Sequence, residues 1–158
     1  IHTAKAESNN IFSLSFKDVK TIKRDKNALF LDTGSPHYVE LVENIDDINV
    51  RARGSLIRNS NRYKKNGVNV NFFKIIGPDK IKIRTYERGV EDETLSCGTG
   101  AVASSIAFHF LRLTKFDKLK VETPGGTLAV EFKFNSGIYK DIYLKGPAEK
   151  VFSGKIKW

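Results

Sequence analysis

Apolar and polar residues alternate at period two through most of this chain, the pattern of strands with one face against a core. Phe12, Leu14 and Phe16 share one face of a first predicted strand. Leu29 and Leu31 mark a second, closed by Asp32-Thr33-Gly34, and Val39 and Leu41 a short third after Pro36. Val68, Val70 and Phe72 alternate with Asn69 and Asn71, and Ile81, Ile83 and Thr85 with Lys82, Arg84 and Tyr86. Val121 and Thr123 run into a turn at Pro124-Gly125-Gly126. Leu128, Val130, Phe132 and Phe134 then form a long strand, and Ile142 and Leu144 the last of the paired ones. Gly, Pro, Asn and Asp stand between these segments, as turns require.

Two stretches break this rhythm and read as helices. The first is predicted over residues 47–59, with an Asp-rich start and an unfavourable Gly54 inside it. The second is predicted over 99–113, where Val102, Ile106, Phe110 and Leu113 recur at helical spacing. Ala101, Ala103, Ser104, Ser105 and Ala107 fill its other positions, so neighbours can approach it closely from several sides. A central helix wrapped by sheet is the expected arrangement.

Composition narrows the function classes. At 158 residues, 40% hydrophobic and 28% charged, the chain is ordinary globular material. No apolar run has the length of a membrane span and no basic-then-apolar leader opens it, so the expected place is the cytoplasm, with no membrane partner. The first residue is Ile1 and Met is absent, so a processed or truncated chain is expected. The net charge of +9 is spread in ones and twos of Lys and Arg, which favours a solvated surface over a nucleic-acid footprint. One Cys and three His at no ligand spacing exclude an intramolecular disulfide and argue against a metal site.

The chemistry is concentrated between Tyr86-Glu87-Arg88-Gly89 and Cys97-Gly98-Thr99-Gly100, which join a strand end to the small-residue helix. Cys97 falls at that helix's N-terminus, where unpaired N–H groups and the helix dipole favour an anion. The placement predicts a lowered thiol pKa. Gly98 and Gly100 let backbone approach a ligand, and the amides of Gly98 and Thr99 can cradle a carboxylate. A lone Cys is by itself more often an inert buried side chain. The glycines, the helix start and the upstream Glu-Arg pair together make the reactive reading the better one.

Glu87-Arg88-Gly89 followed by Cys97-Gly98-Thr99-Gly100 resembles the C-terminal active-site motif of diaminopimelate epimerases. Asp32-Thr33-Gly34-Ser35-Pro36-His37 looks like that family's Gly-Asn-Pro-His segment, and Gly67-Val68-Asn69-Val70-Asn71-Phe72 like its Asn-containing strand. Pro124-Gly125-Gly126, Gly146-Pro147-Ala148 and Val151-Phe152-Ser153-Gly154 look like its closing strands. The resemblance implies an α/β (α+β) fold of two pseudo-symmetric domains, each a mixed sheet rolled around a central helix. Residues 1–17 would end the first domain, 18–146 form the second, and 147–158 return to the first as a closing strand. It implies cofactor-independent epimerisation of LL- to meso-diaminopimelate by two thiols, in lysine and peptidoglycan precursor biosynthesis.

The resemblance also implies residue roles. Cys97 is one of the two acid/base thiols, and Glu87 and His37 modulate thiol protonation. Arg88 and Asn69 meet the distal end of the substrate, and Glu87 and Ser35, the latter standing where many members have Asn, are further substrate contacts. The amides of Gly98 and Thr99 hold the α-carboxylate, and Phe152 is the expected contact of a homodimer. The family's Gly-Asn-Gly-x-Arg-Cys motif is absent here, so the partner thiol is expected in a missing N-terminal half, and this chain alone is expected to be inactive. Three other readings compete. One is a related proline racemase or phenazine-type isomerase, against which Glu87-Arg88-Gly89 argues. Another is a non-catalytic homologue that binds an amino acid or a partner. The third, more distant, is a basic nucleic-acid-binding protein.

Overall fold

A computed structural model describes residues 3–8 and 10–157; Ile1, His2, Asn9 and Trp158 lie outside the described residues. Its strands are β1 (Ala4–Ser8), β2 (Ile11–Phe16), β3 (Ile22–Asp25), β4 (Ala28–Asp32), β5 (Pro36–Leu41), β6 (Asn69–Gly77), β7 (Lys80–Glu87), β8 (Asp92–Thr94), β9 (Lys118–Thr123), β10 (Gly126–Asn135) and β11 (Ile138–Pro147). The helices are α1 (Val50–Arg58) and α2 (Gly98–Phe110). The strands form one mixed sheet in the order β1-β2-β11-β10-β9-β7-β6-β5-β4-β3, with β8 beside β7. β5–β6 and β7–β9 are its parallel pairs. A reciprocal pair of backbone hydrogen bonds between Val19, just before β3, and Tyr139 of β11 joins the two limbs and rolls the sheet into a sleeve.

α2 fills the sleeve. It packs against β4, β5, β6, β7, β9, β10 and β11, and every residue from Gly100 to Phe108 is buried. A helix that is apolar all round is stable only when surrounded. Its core partners are Leu29, Leu31, Val39, Phe73, Ile81 and Ile83 on one side and Leu119, Val121, Val130, Phe132 and Ile142 on the other. A second core lies on the outer face, where Val68, Val70, Phe72 and Tyr86 meet α1 and Tyr63. β6 is therefore covered on both faces, and Asn69 and Asn71, polar positions of its alternation, are buried rather than solvated.

The predicted elements are present with shifted ends. α1 starts at Val50 and not at Asp47, because Asn49 is its cap: the Asn49 side chain accepts from the Ala52 N–H at 3.0 Å. Gly54 is required there, since a Cβ would overlap the Tyr86 ring. α2 stops at Phe110 because Arg112 takes a positive φ of 59°. β1, β3 and β8 carry too little alternation to be seen in the sequence. Phe12 and Leu14 do share a face of β2, but each is about two-fifths exposed, and Ser13 between them is buried. Of the segment 147–158, expected to return to the first domain as a closing strand, Pro147 ends β11 and residues 148–157 make no ladder among the described residues, with Val151, Phe152 and Ile156 exposed. A strand needs an edge to pair with, and this segment finds none among the described residues.

Candidate active site

Parallel pairing of β5 with β6 places His37 beside Asn69 and Val39 beside Asn71. β7 runs antiparallel to β6, so Thr85 lies opposite Asn71 and the strand ends at Glu87. The starts of β5 and β6 and the end of β7 thus meet at one rim of the sleeve. The chain leaves that rim through β8 and turns at Cys97 into α2. On the inward face the residue type changes along the strands, from Leu, Val, Ile and Phe in the middle to His37, Asn69, Asn71 and Thr85 at this rim. An apolar sleeve with a polar mouth at a helix N-terminus is the outcome.

Cys97 is the N-cap of α2, with extended backbone at φ −122° and ψ 105°. The residue is 6% exposed. Burial pushes the thiol pKa above the ordinary thiol value, and the charge of Glu87 pushes the same way. The Thr99 hydroxyl, 3.4 Å from Sγ, and the amides of Gly100 and Thr99 pull it down, but by less. The lowered pKa expected from the helix terminus is thus reversed in this chain: desolvation of the thiolate outweighs the helix-end donors. Glu87 is held by the Thr94 hydroxyl, which donates to its Oε2 at 3.0 Å. Thr33 Oγ1 donates to the Thr99 carbonyl at 3.0 Å and ties the β4–β5 turn to the helix start.

His37 is fully buried, and desolvation lowers its pKa to about 3, with the Asn71 hydrogen bond opposing and the Arg88 charge adding to the shift. Asn71 Nδ2 lies 3.0 Å from His37 Nδ1, while His37 Nε2 has no partner among the described residues. Ser35, Asn69 and Arg88 form one cluster. Asn69 Nδ2 donates to Ser35 Oγ at 2.8 Å, the Arg88 amide donates to Asn69 Oδ1 at 2.9 Å, and Arg88 Nη2 lies 3.5 Å from Ser35 Oγ. No carboxylate among the described residues forms an ion pair with the Arg88 guanidinium. Sequence reasoning passed over Asn71 and Thr85, whose only signal is polarity at positions that the strand buries. No cluster of three or more His, Cys, Asp or Glu side chains suited to a metal occurs among the described residues.

A thiol at the N-terminus of a helix enclosed by a rolled mixed sheet, within electrostatic reach of the Glu87 carboxylate, is the chief chemical feature of this rim. The fold is shared with solved structures. A probable proline racemase from Agrobacterium radiobacter K84 superposes with a TM-score of 0.64 over 92% of this chain and 54% of its own, at 16% identity. A hydroxyproline epimerase from Agrobacterium vitis does so with a TM-score of 0.54 over 87% and 50%, again at 16% identity. Residues 29–151 match the family model described as diaminopimelate epimerase, and the chain belongs to that family. The diaminopimelate epimerase of Flavobacterium psychrophilum is 44% identical over 156 residues, which is 99% of this chain and 61% of that protein. That of Chlorobaculum tepidum is 45% identical over 132 residues, covering 82% and 50%. The chain spans roughly half to three fifths of the relatives it matches.

Proposed function

We propose that this chain supplies one face of the active site of a cofactor-independent diaminopimelate epimerase serving lysine and peptidoglycan precursor synthesis. The observation that carries the reading is Cys97 at the N-cap of α2, within electrostatic reach of Glu87. Inversion at an α-carbon needs a base on one face and an acid on the other. The base takes the α-proton, the electron pair is shared with the α-carboxylate, and the acid returns a proton to the opposite face. Burial holds Cys97 as a thiol, the state the proton-delivering partner needs. Amides at the start of α2 suit the α-carboxylate and the charge it gathers, a role given to Gly98 and Thr99. Arg88, oriented through Asn69 and Ser35, offers a guanidinium fork to the distal carboxylate.

One thiol cannot serve both faces, so the second comes from the rest of the protein, and the chain by itself is inactive. In this reading residues up to about 17 and from 147 onward pack with that other half, and the complete protein works as a cytoplasmic homodimer with Phe152 at the contact. The exposure of Phe12, Leu14 and Leu95, and of Phe152 at 84%, supports that packing.

Exchange of the α-hydrogen of diaminopimelate in deuterated water tests the reading. The complete protein exchanges it, and Cys97→Ala reduces exchange to background. Undiminished exchange by Cys97→Ala would sink the assignment.

A further inference from the structure

Asn71 is fully buried on the inward face of β6, and its surroundings leave one arrangement of protons. Its Nδ2 lies 3.0 Å from the Tyr38 carbonyl oxygen and 3.4 Å from the Asn69 carbonyl oxygen. Carbonyl oxygens only accept, so the amide nitrogen of Asn71 must face them. Its Oδ1 then faces the Thr85 hydroxyl, which donates to it at 3.0 Å. The same Nδ2 lies 3.0 Å from His37 Nδ1. A proton on Nδ1 would set two N–H donors against each other. Turning the amide over would set Oδ1 against the Tyr38 carbonyl. Gly100 closes the remaining side, because any Cβ there would overlap Asn71 Oδ1.

We propose that Asn71, braced by Thr85, is a positioning residue that fixes His37 as the neutral tautomer protonated on Nε2, a hydrogen-bond donor and not a base. Buried donors are rarely left unpaired, and this Nε2–H has no acceptor among the described residues. It is therefore held ready for an acceptor from outside them. The tautomer follows from the contacts alone; its part in proton transfer rests on the epimerase reading above.

The test is a two-bond proton–nitrogen correlation spectrum of the 15N-labelled chain, with His37→Gln assigning the signals. His37 is expected to show an unprotonated, pyridine-type Nδ1 and a protonated, pyrrole-type Nε2. A protonated Nδ1, or an even mixture of tautomers, would overturn the proposal, and sequential backbone assignment identifies the His37 signals even if no variant folds. In Asn71→Asp the carboxylate accepts at the same place, and Nδ1 is expected to become protonated; an unchanged spectrum in a folded variant overturns the positioning role. In the complete protein Asn71→Asp should lower kcat for α-hydrogen exchange roughly a hundredfold, with KM little changed. Full kcat with a switched tautomer overturns the part in catalysis. A complete protein without exchange activity but with the expected tautomer overturns the epimerase reading and leaves the Asn71 assignment standing.

Discussion

Gly100→Ala probes the packing that joins the thiol to the sheet. The added Cβ would overlap Asn71 Oδ1 and lie 3.3 Å from Cys97 Sγ. Neither neighbour yields easily. Asn71 is hydrogen-bonded to His37, Tyr38 and Thr85, and Cys97 caps the helix. Overpacking of this kind costs about 1–3 kcal/mol. Pushing Oδ1 off the Thr85 hydroxyl adds about 1 kcal/mol. Alanine in place of glycine in a helix returns about 1 kcal/mol. The net loss is about 1–3 kcal/mol, which for a domain of this size lowers Tm by roughly 2–12 °C. Gly154→Ala, with nothing within 4 Å of its added Cβ, is the control and should stay within about 0.5 kcal/mol of the parent. Thermal unfolding gives the first readout and alkylation of Cys97, the sole thiol, the second. A Gly100→Ala chain as stable as the parent, alkylated at the same rate, would show that α2 does not press on Asn71 in solution.

The remaining predictions concern charge. Glu87 raises the Cys97 pKa, so Glu87→Gln should lower it and speed alkylation at a fixed mildly alkaline pH; equal or slower alkylation would contradict the pairing. His37 is held at about 3 against an unperturbed 6.5. Below about 6.5 the unfolded chain takes a proton that the folded chain refuses, so stability present above that pH is lost as pH falls toward about 3. The loss is about 1.4 kcal/mol per pH unit, or about 2 kcal/mol by pH 5. Urea unfolding at pH 7 and pH 5 should show that difference in the parent and a smaller one in His37→Gln; equal slopes would refute the buried neutral histidine.

Much of the architecture was legible in the chain because period-two alternation and an all-round small-residue helix each admit few packings. The residues of Ser35, Asn69 and Arg88 were likewise legible as types in a recognisable order, and the structure brings them into one hydrogen-bonded cluster. What sequence left open depends on distance. Asn71 alternates like a solvated strand residue, and only α1 and α2 covering both faces of β6 turn it into a buried clamp on His37. The thiol shows the same limit. A helix N-terminus is a local feature and argues for a low pKa, whereas the desolvation that reverses it comes from strands distant in sequence closing round the helix. Local order determined which groups are present and on which element. Burial, which sets their protonation and their partners, is a property of the closed sleeve and was decided by the tertiary structure.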